Sequence, residues 1–230
     1  VQRLFTSIVG RYDFLNTLLS LNQDRRWRRF AARKSGLKPH GLALDVATGT
    51  GELALELARR IQRTGKVVGV DFCEPMLRKA REKVVKAGCE KVVDLVLARA
   101  EKLPFSNNLF DCATIGFALR NVTDLNITFQ EMTRVIKPGG TIVCLELAHP
   151  SNRLFRKLYY AYLFHVAPLI GGFISRKKEE YVYLPRSLLD FPSSRRLKEM
   201  LEEEGMKQIE VYHLTLGVVA VHIGTKGGSL

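Results

Sequence analysis

The sequence predicts an α/β fold: a mostly parallel, seven-stranded sheet with helices on both faces, an antiparallel last strand and a helical N-terminal cover. Two observations carry this reading. Short apolar runs of strand length alternate with segments whose apolar residues recur at helical spacing, the pattern of a parallel sheet covered on both sides. A glycine-rich turn, "DVATGTGE" (45–52), joins the first of these runs to the first of these helices. At 230 residues, 46% of them apolar, the chain can bury one large core.

The elements follow in order. Residues 1–40 read as helices broken at Gly10 and around Ser20–Asn22. "LALDVA" (42–47) is the first strand, and 51–61 is a helix with Leu53, Leu57, Ala58 and Ile61 on one face. "KVVGVDF" (66–72) is the second strand; Pro75 then opens a helix that runs to a stop at Gly88. Strands are expected at 93–98 and 109–119. A helix over 126–137 is expected to end at Pro138-Gly139-Gly140, with a fifth strand over 141–147. Residues 153–192 are rich in aromatics without a clear strand and read as an insertion on the substrate side. A helix over 193–205 precedes two strands around Thr215–Gly217, an antiparallel hairpin at the sheet edge. With no repeats or linkers, 1–230 reads as a single domain.

Composition narrows the function classes. Lys and Arg number 36 against 23 Asp and Glu, a net charge of +13. That balance suits a nucleic acid, an anionic membrane surface or a well-solvated surface. Cys73, Cys89, Cys112 and Cys144 form no C-x-x-C pair, so neither a zinc site nor a disulfide framework is expected, and Cys112 and Cys144 read as buried thiols. No cleavable apolar leader and no run of about 18 apolar residues is found, and the expected compartment is the cytoplasm.

In such a sheet a ligand binds beyond the carboxyl ends of the strands. Gly49-Thr50-Gly51-Glu52-Leu53-Ala54 fits G-x-G-x-x-A, and Asp71 ends the second strand about 20 residues on, where an acid grips ribose hydroxyls. Together they predict an adenosine cofactor. The charges then choose among such cofactors. A pyrophosphate wants a helix N-terminus clear of anions, whereas Asp45 ends the first strand and Glu52 begins the helix. Two carboxylates suit a ligand with an ammonium and a sulfonium, so S-adenosylmethionine is favoured over NAD or FAD.

Several stretches resemble the UbiE/MenG family of ubiquinone/menaquinone C-methyltransferases, which are class I, Rossmann-like enzymes dependent on S-adenosylmethionine. They are "LDVATGTGE", "VVGVDFCEPML", "AEKLPFSNNLFDCATIGFALRNVTD" and "RVIKPGGTIVCLEL", flanked by "RYDFLNTLLSLNQDRRWRR" and "YVYLPRSLLDFPSSRRLKEMLEEEGM". The resemblance spans nearly the whole chain, and "FALRNVTD" is its most specific part. It implies methyl transfer to a ring carbon of a prenylated hydroquinone, demethylmenaquinol to menaquinol first among the choices. It adds Arg99, Ala100 and Gly116 to the cofactor-binding candidates Asp45, Gly49, Thr50, Gly51 and Asp71. Three residues depart from the family's pattern. Thr48 stands where a second Gly is usual. Arg99 replaces an Asp or Asn, leaving adenine recognition to backbone groups or Glu101. Gly116 replaces a common Ser.

A ring carbon is a poor nucleophile until a phenolic proton is lost, so the protein must position the ring, stabilise a phenolate and accept a proton. Arg120 and Asn121 follow the fourth strand and are the first candidates; an ion pair closing the loop and a helix cap are the competing accounts. Tyr183, within "YVYLP", is a candidate for lining the substrate site or an aromatic of the core. Asp13 and Asn16 are placed to close over the cofactor or to cap helices, Glu146 to act as base or to sit in a buried ion pair, and His149 to act or simply to pack. No metal set appears. "LYYAYLFHVAPLIGGFI" (158–174), broken by Pro168 and flanked by Arg and Lys, suits an anionic lipid surface or a prenyl tail. The expected partners are therefore a prenylated quinol and the inner face of a membrane, contacted peripherally, with a homodimer left open and no nucleic acid. The alternatives are an RNA or other small-molecule methyltransferase, an NAD-dependent oxidoreductase and a binding module without turnover. Against the first, the position after the fourth strand reads "GFALRN" rather than an Asn/Asp-Pro-Pro-aromatic run.

Overall fold

The computed structural model describes residues 2–62, 64–169 and 187–228. Seven strands form one sheet: β1 (Leu42–Val46), β2 (Lys66–Asp71), β3 (Val93–Leu97), β4 (Phe110–Gly116), β5 (Ile136–Leu147), β6 (Met206–Leu214) and β7 (Val219–Lys226). Their order is β3-β2-β1-β4-β5-β7-β6. The first five pair in parallel, and β7 runs antiparallel to both β5 and β6. The expected hairpin is present, with β7 inside the sheet and β6 at its edge.

Successive residues of one strand enter opposite cores, as a pleat demands. Ala43, Cys112 and Val143 join one apolar cluster, while Leu44, Ala113 and Ile142 join the other. The first cluster lies under α2 (Gln23–Lys34), α3 (Glu52–Arg60) and α4 (Glu74–Lys86). The second lies under α5 (Leu125–Val135) and α7 (Ser194–Glu203), with Phe129, Met132 and Leu201 fully buried. The four cysteines are buried free thiols.

Three boundaries differ from the sequence reading. α1 (Gln2–Leu19) runs unbroken through Gly10, because one interior glycine costs a helix only about 1 kcal/mol. It stops at Ser20, and Leu21 (φ 52°) and Asn22 (φ 62°) make the left-handed corner into α2. α5 ends at Val135, before Pro138, and β5 starts at Ile136. The proline is tolerated in the strand because β5 bulges there: Phe110 faces Ile136 but Cys112 faces Thr141. β4 ends at Gly116 rather than 119, since Phe117 turns to φ 57° and a short 3-10 turn, Leu119–Asn121, follows. Within 153–192, α6 (Arg153–Ala161) leads into a π-helical turn, Tyr162–Val166. Tyr183 lies outside the described residues.

Candidate active site

The carboxyl ends of β1, β2, β3 and β4 open onto a cavity of about 270 Å³. The loop after β1 forms its floor. Ala47, Gly49 and Gly51 all take positive φ (51°, 56° and 80°), so the chain reverses tightly between strand and helix. A Cβ on Gly49 would meet nothing within 4 Å, so the loop leaves open space where it lines the cavity; one on Gly51 would press on Ala80 Cβ at 3.2 Å, so this glycine lets α4 pack close.

Two buried carboxylates border this loop. Asp45 is 1% exposed; its Oδ2 accepts the Thr48 hydroxyl at 2.6 Å and its Oδ1 the Thr114 hydroxyl at 2.7 Å. Burial pushes its pKa up to about 6, against the lowering pull of those two hydrogen bonds. Asp71 accepts Gly49 N–H on Oδ2 at 2.8 Å and Cys73 N–H on Oδ1 at 2.9 Å. It therefore ties the β1 loop to the β2 loop, and burial raises its pKa while these amides lower it. Both residues line the cavity. Asp71 is thus a structural clasp as well as a candidate ligand.

Thr50 also faces the cavity, but its hydroxyl donates to Asp13 Oδ1 at 2.6 Å. Lys83 Nζ meets Asp13 Oδ2 at 2.5 Å and Glu52 Oε1 at 2.7 Å. This cluster fastens α1 over the loop: Lys83 is shared between Asp13 and Glu52 and offsets one of their two negative charges, so the loop stays acidic, with Asp45 and Glu52 both lining the cavity.

The third wall is Ala98, Arg99, Ala100 and Glu101, after β3. Arg99 points outward, with Nη2 donating to Thr123 Oγ1 at 3.0 Å and Nε at 3.4 Å from Glu101 Oε2. Glu101 Oε1 accepts Thr123 N–H at 2.7 Å, and this bond and Arg99 lower its pKa against desolvation, which acts the other way. At the end of β4, Gly116 and Phe117 line the cavity. A Cβ on Gly116 would stand 3.1 Å from Leu53 Cδ2, so a larger side chain there would crowd α3.

Asn121 lines the cavity, and Arg120 stands behind it. Arg120 Nε meets Glu146 Oε1 at 2.7 Å, both side chains almost fully buried, and its Nη1 donates to Ser187 Oγ at 3.0 Å. Both residues are thus in the ion pair the sequence offered as one reading of each. The Tyr159 hydroxyl is buried without a hydrogen-bond partner, and the Arg120 charge acts on it. His149 Nδ1 lies 2.6 Å from the Tyr160 hydroxyl and packs on that ring.

The cavity also draws on residues that the sequence reading passed over: Tyr12, Arg28, Phe72, Met76 and Phe117. Tyr12 hydrogen-bonds Asn16, and burial raises its pKa. Arg28 sits on the buried face of α2 beside Asp24, Trp27 and Ala31. That spacing was the available signal, because an Asp–Arg pair four apart among apolar positions points inward.

The donor set fits S-adenosylmethionine: a buried carboxylate for an ammonium, a second at the end of β2 for ribose hydroxyls, an open glycine, and Phe72, Met76 and Ala98 as apolar walls. Comparisons with known proteins agree. The chain is 45% identical over 226 residues to "Ubiquinone/menaquinone biosynthesis C-methyltransferase UbiE" of Geobacter sp. strain M21, covering 98% of this chain and 96% of that one. Among solved structures, a SAM-dependent methyltransferase of Aquifex aeolicus superposes with TM-score 0.63 at 20% identity, over 86% of this chain and 88% of that one. Phosphoethanolamine N-methyltransferase 2 of Haemonchus contortus, solved in complex with S-adenosyl-L-methionine, gives 0.61 at 17%, over 85% and 50%. These two share the fold. Residues 1–226 match the ubiE/COQ5 methyltransferase family, and the chain belongs to that family.

Proposed function

We propose that this S-adenosylmethionine-dependent C-methyltransferase methylates a ring carbon of a prenylated hydroquinone, demethylmenaquinol first among the candidates. The observation that carries the reading is the Asp45–Asp71 floor at the strand ends, in a chain of this family. The cofactor, when bound, supplies a methyl made electrophilic by its positively charged sulfur. Asp45 would hold the ammonium, Asp71 the ribose hydroxyls, and Gly49, Thr50, Gly51, Ala100 and Gly116 the contour around them, with Arg99 at the rim. The quinol ring would enter beside Phe117 and Asn121. There Asn121 would orient a ring hydroxyl. The guanidinium of Arg120, held by Glu146 and Ser187, would favour its ionised form from behind. Arg120 is too weak a base to take that proton itself, so its part is electrostatic.

The prenyl tail needs an apolar approach. On α6, Leu154 (71% exposed) and Leu158 (62%) share one face, with Arg153, Arg156 and Lys157 around them. Phe14, Leu18 and Leu21 are exposed at helical spacing in and after α1, and the Tyr162 hydroxyl donates to Leu19 O at 2.9 Å, tying the two regions together. Among the described residues no helix is long and apolar enough to cross a membrane. Peripheral contact with an anionic surface is the arrangement these features support.

The test is transfer of a labelled methyl to demethylmenaquinol and to the matching ubiquinone precursor, with mass spectrometry of the products. Label on a ring carbon of either is expected. Label on neither, in a protein that binds the donor, would end the quinol reading.

A further inference from the structure

We infer that Arg28 binds the α-carboxylate of the methyl donor, pairing with Asp45 so that the two ends of the donor's zwitterionic amino-acid group are read by opposite charges. The inference rests on the donor site proposed above and names a residue of it on a different element, α2. S-adenosylmethionine carries a carboxylate next to its ammonium. A buried carboxylate alone therefore leaves one anion of the ligand unanswered in a cavity with little water to screen it.

Of the described residues lining the cavity, only Arg28 and Arg99 are cations. Arg99 lies after β3, on the far side of the Asp71 loop, and is engaged with Glu101 and Thr123. Lys83 is engaged with Asp13, Glu52 and Thr50, and Arg120 with Glu146 and Ser187. Arg28 lies at the β1/β4 end: its guanidinium stands 5.3 Å from the Phe117 ring centre, and its charge acts on both Asp45 and Tyr12.

The side chain is built to present its fork. Nη1 meets Asp24 Oδ2 at 2.5 Å, and Asp24 Oδ1 accepts the Ser20 hydroxyl at 3.1 Å. Among the described residues Nε and Nη2 have no acceptor. The helix that carries Arg28 is fixed by its neighbour Trp27, whose indole N–H donates to Thr215 Oγ1 at 2.9 Å and whose ring lies 6.1 Å from Phe117. A guanidinium clamped on one nitrogen, held over an aromatic ring and without an acceptor on its Nε–Nη2 edge is the geometry that receives a carboxylate.

Calorimetry with two ligands tests this on the whole chain. S-adenosylmethionine has the carboxylate; decarboxylated S-adenosylmethionine lacks it and keeps the amine, sulfonium and adenosine. The unmutated protein should bind the first about 10- to 100-fold more tightly, the scale of one charge-assisted contact. Arg28→Gln should weaken S-adenosylmethionine by that factor and leave the decarboxylated ligand unchanged. Arg28→Lys, which keeps charge and much of the packing if the Gln variant folds poorly, should lose part of the preference. An unmutated protein without preference between the ligands, or an Arg28 variant that weakens both equally, would overturn the inference while leaving the donor site standing. Failure of the unmutated protein to bind either ligand would overturn the donor site itself, and this inference with it.

Discussion

Asp45 keeps a carboxylate where water hardly reaches, and its effect on stability has a definite sign. Its pKa is about 6 in the folded chain against 3.8 for the free side chain, so between those values the folded state holds the extra proton. Stability from this group is present at low pH and is lost as pH rises from about 4 through 6, a loss of roughly 3 kcal/mol at 1.36 kcal/mol per unit. Asp45→Asn should therefore melt higher than the parent at pH 7.5 without ligand, with the gap closing toward pH 4, while donor affinity falls. A variant that melts lower at pH 7.5 would contradict the burial account. Asp71 predicts differently, because its oxygens also hold two backbone amides. Asp71→Ala should weaken donor binding by about 1.5–3 kcal/mol and lower the melting temperature as well; an unchanged dissociation constant would remove it from the site. For Arg120, removal leaves Glu146 buried without its cation, at a cost of about 3–5 kcal/mol. Arg120→Ala should thus melt early, and the folded fraction should turn over about 100-fold more slowly, near 2.7 kcal/mol, with donor affinity kept. Full turnover per folded molecule would leave Arg120 a purely structural residue. At this scale the sequence disclosed Asp45, Gly49 and Asp71, because strand ends and glycines are local signals. It passed over Phe117, one residue beyond Gly116 at the end of β4, and Tyr12 and Arg28, which come to the cavity from the N-terminal helices.

At the scale of elements, the alternation of strands and helices was legible because the inner strands β1, β4 and β5 are buried along most of their length and the helices on one face. The differences lie where a local breaker proved too weak to end an element. Gly10 stayed helical, and Pro138 was absorbed into a bulge of β5 rather than ending α5. The 3-10 turn at Leu119–Asn121 was invisible because its cause is the left-handed Phe117 before it. α6 carries the prediction of this scale. Its exposed Leu154 and Leu158 and the basic Arg153, Arg156 and Lys157 should bring the protein to vesicles, each basic residue near the surface adding about 1 kcal/mol. Flotation should be stronger with anionic than with neutral vesicles, should weaken at high salt, and should fall with Leu158→Glu. Equal flotation with both lipids would refute the electrostatic part.

Across the whole molecule, the Asp13–Thr50–Lys83 cluster joins the first helix to the cofactor loop, and Trp27–Thr215 joins α2 to the β6–β7 turn. The N-terminal helices are therefore tied both to the cofactor loop and to the far end of the chain. The strand order adds a consequence in time rather than space. β7 is made after β6 yet lies between β6 and β5. On the ribosome, then, β5 waits with an unpaired edge and β6 has no neighbour until residues 219–226 emerge, and an unpaired edge is the surface on which chains stick to one another. A nascent chain stalled before Val219 should be protease-sensitive and should recruit chaperones, and one extended past Lys226 should lose both properties together.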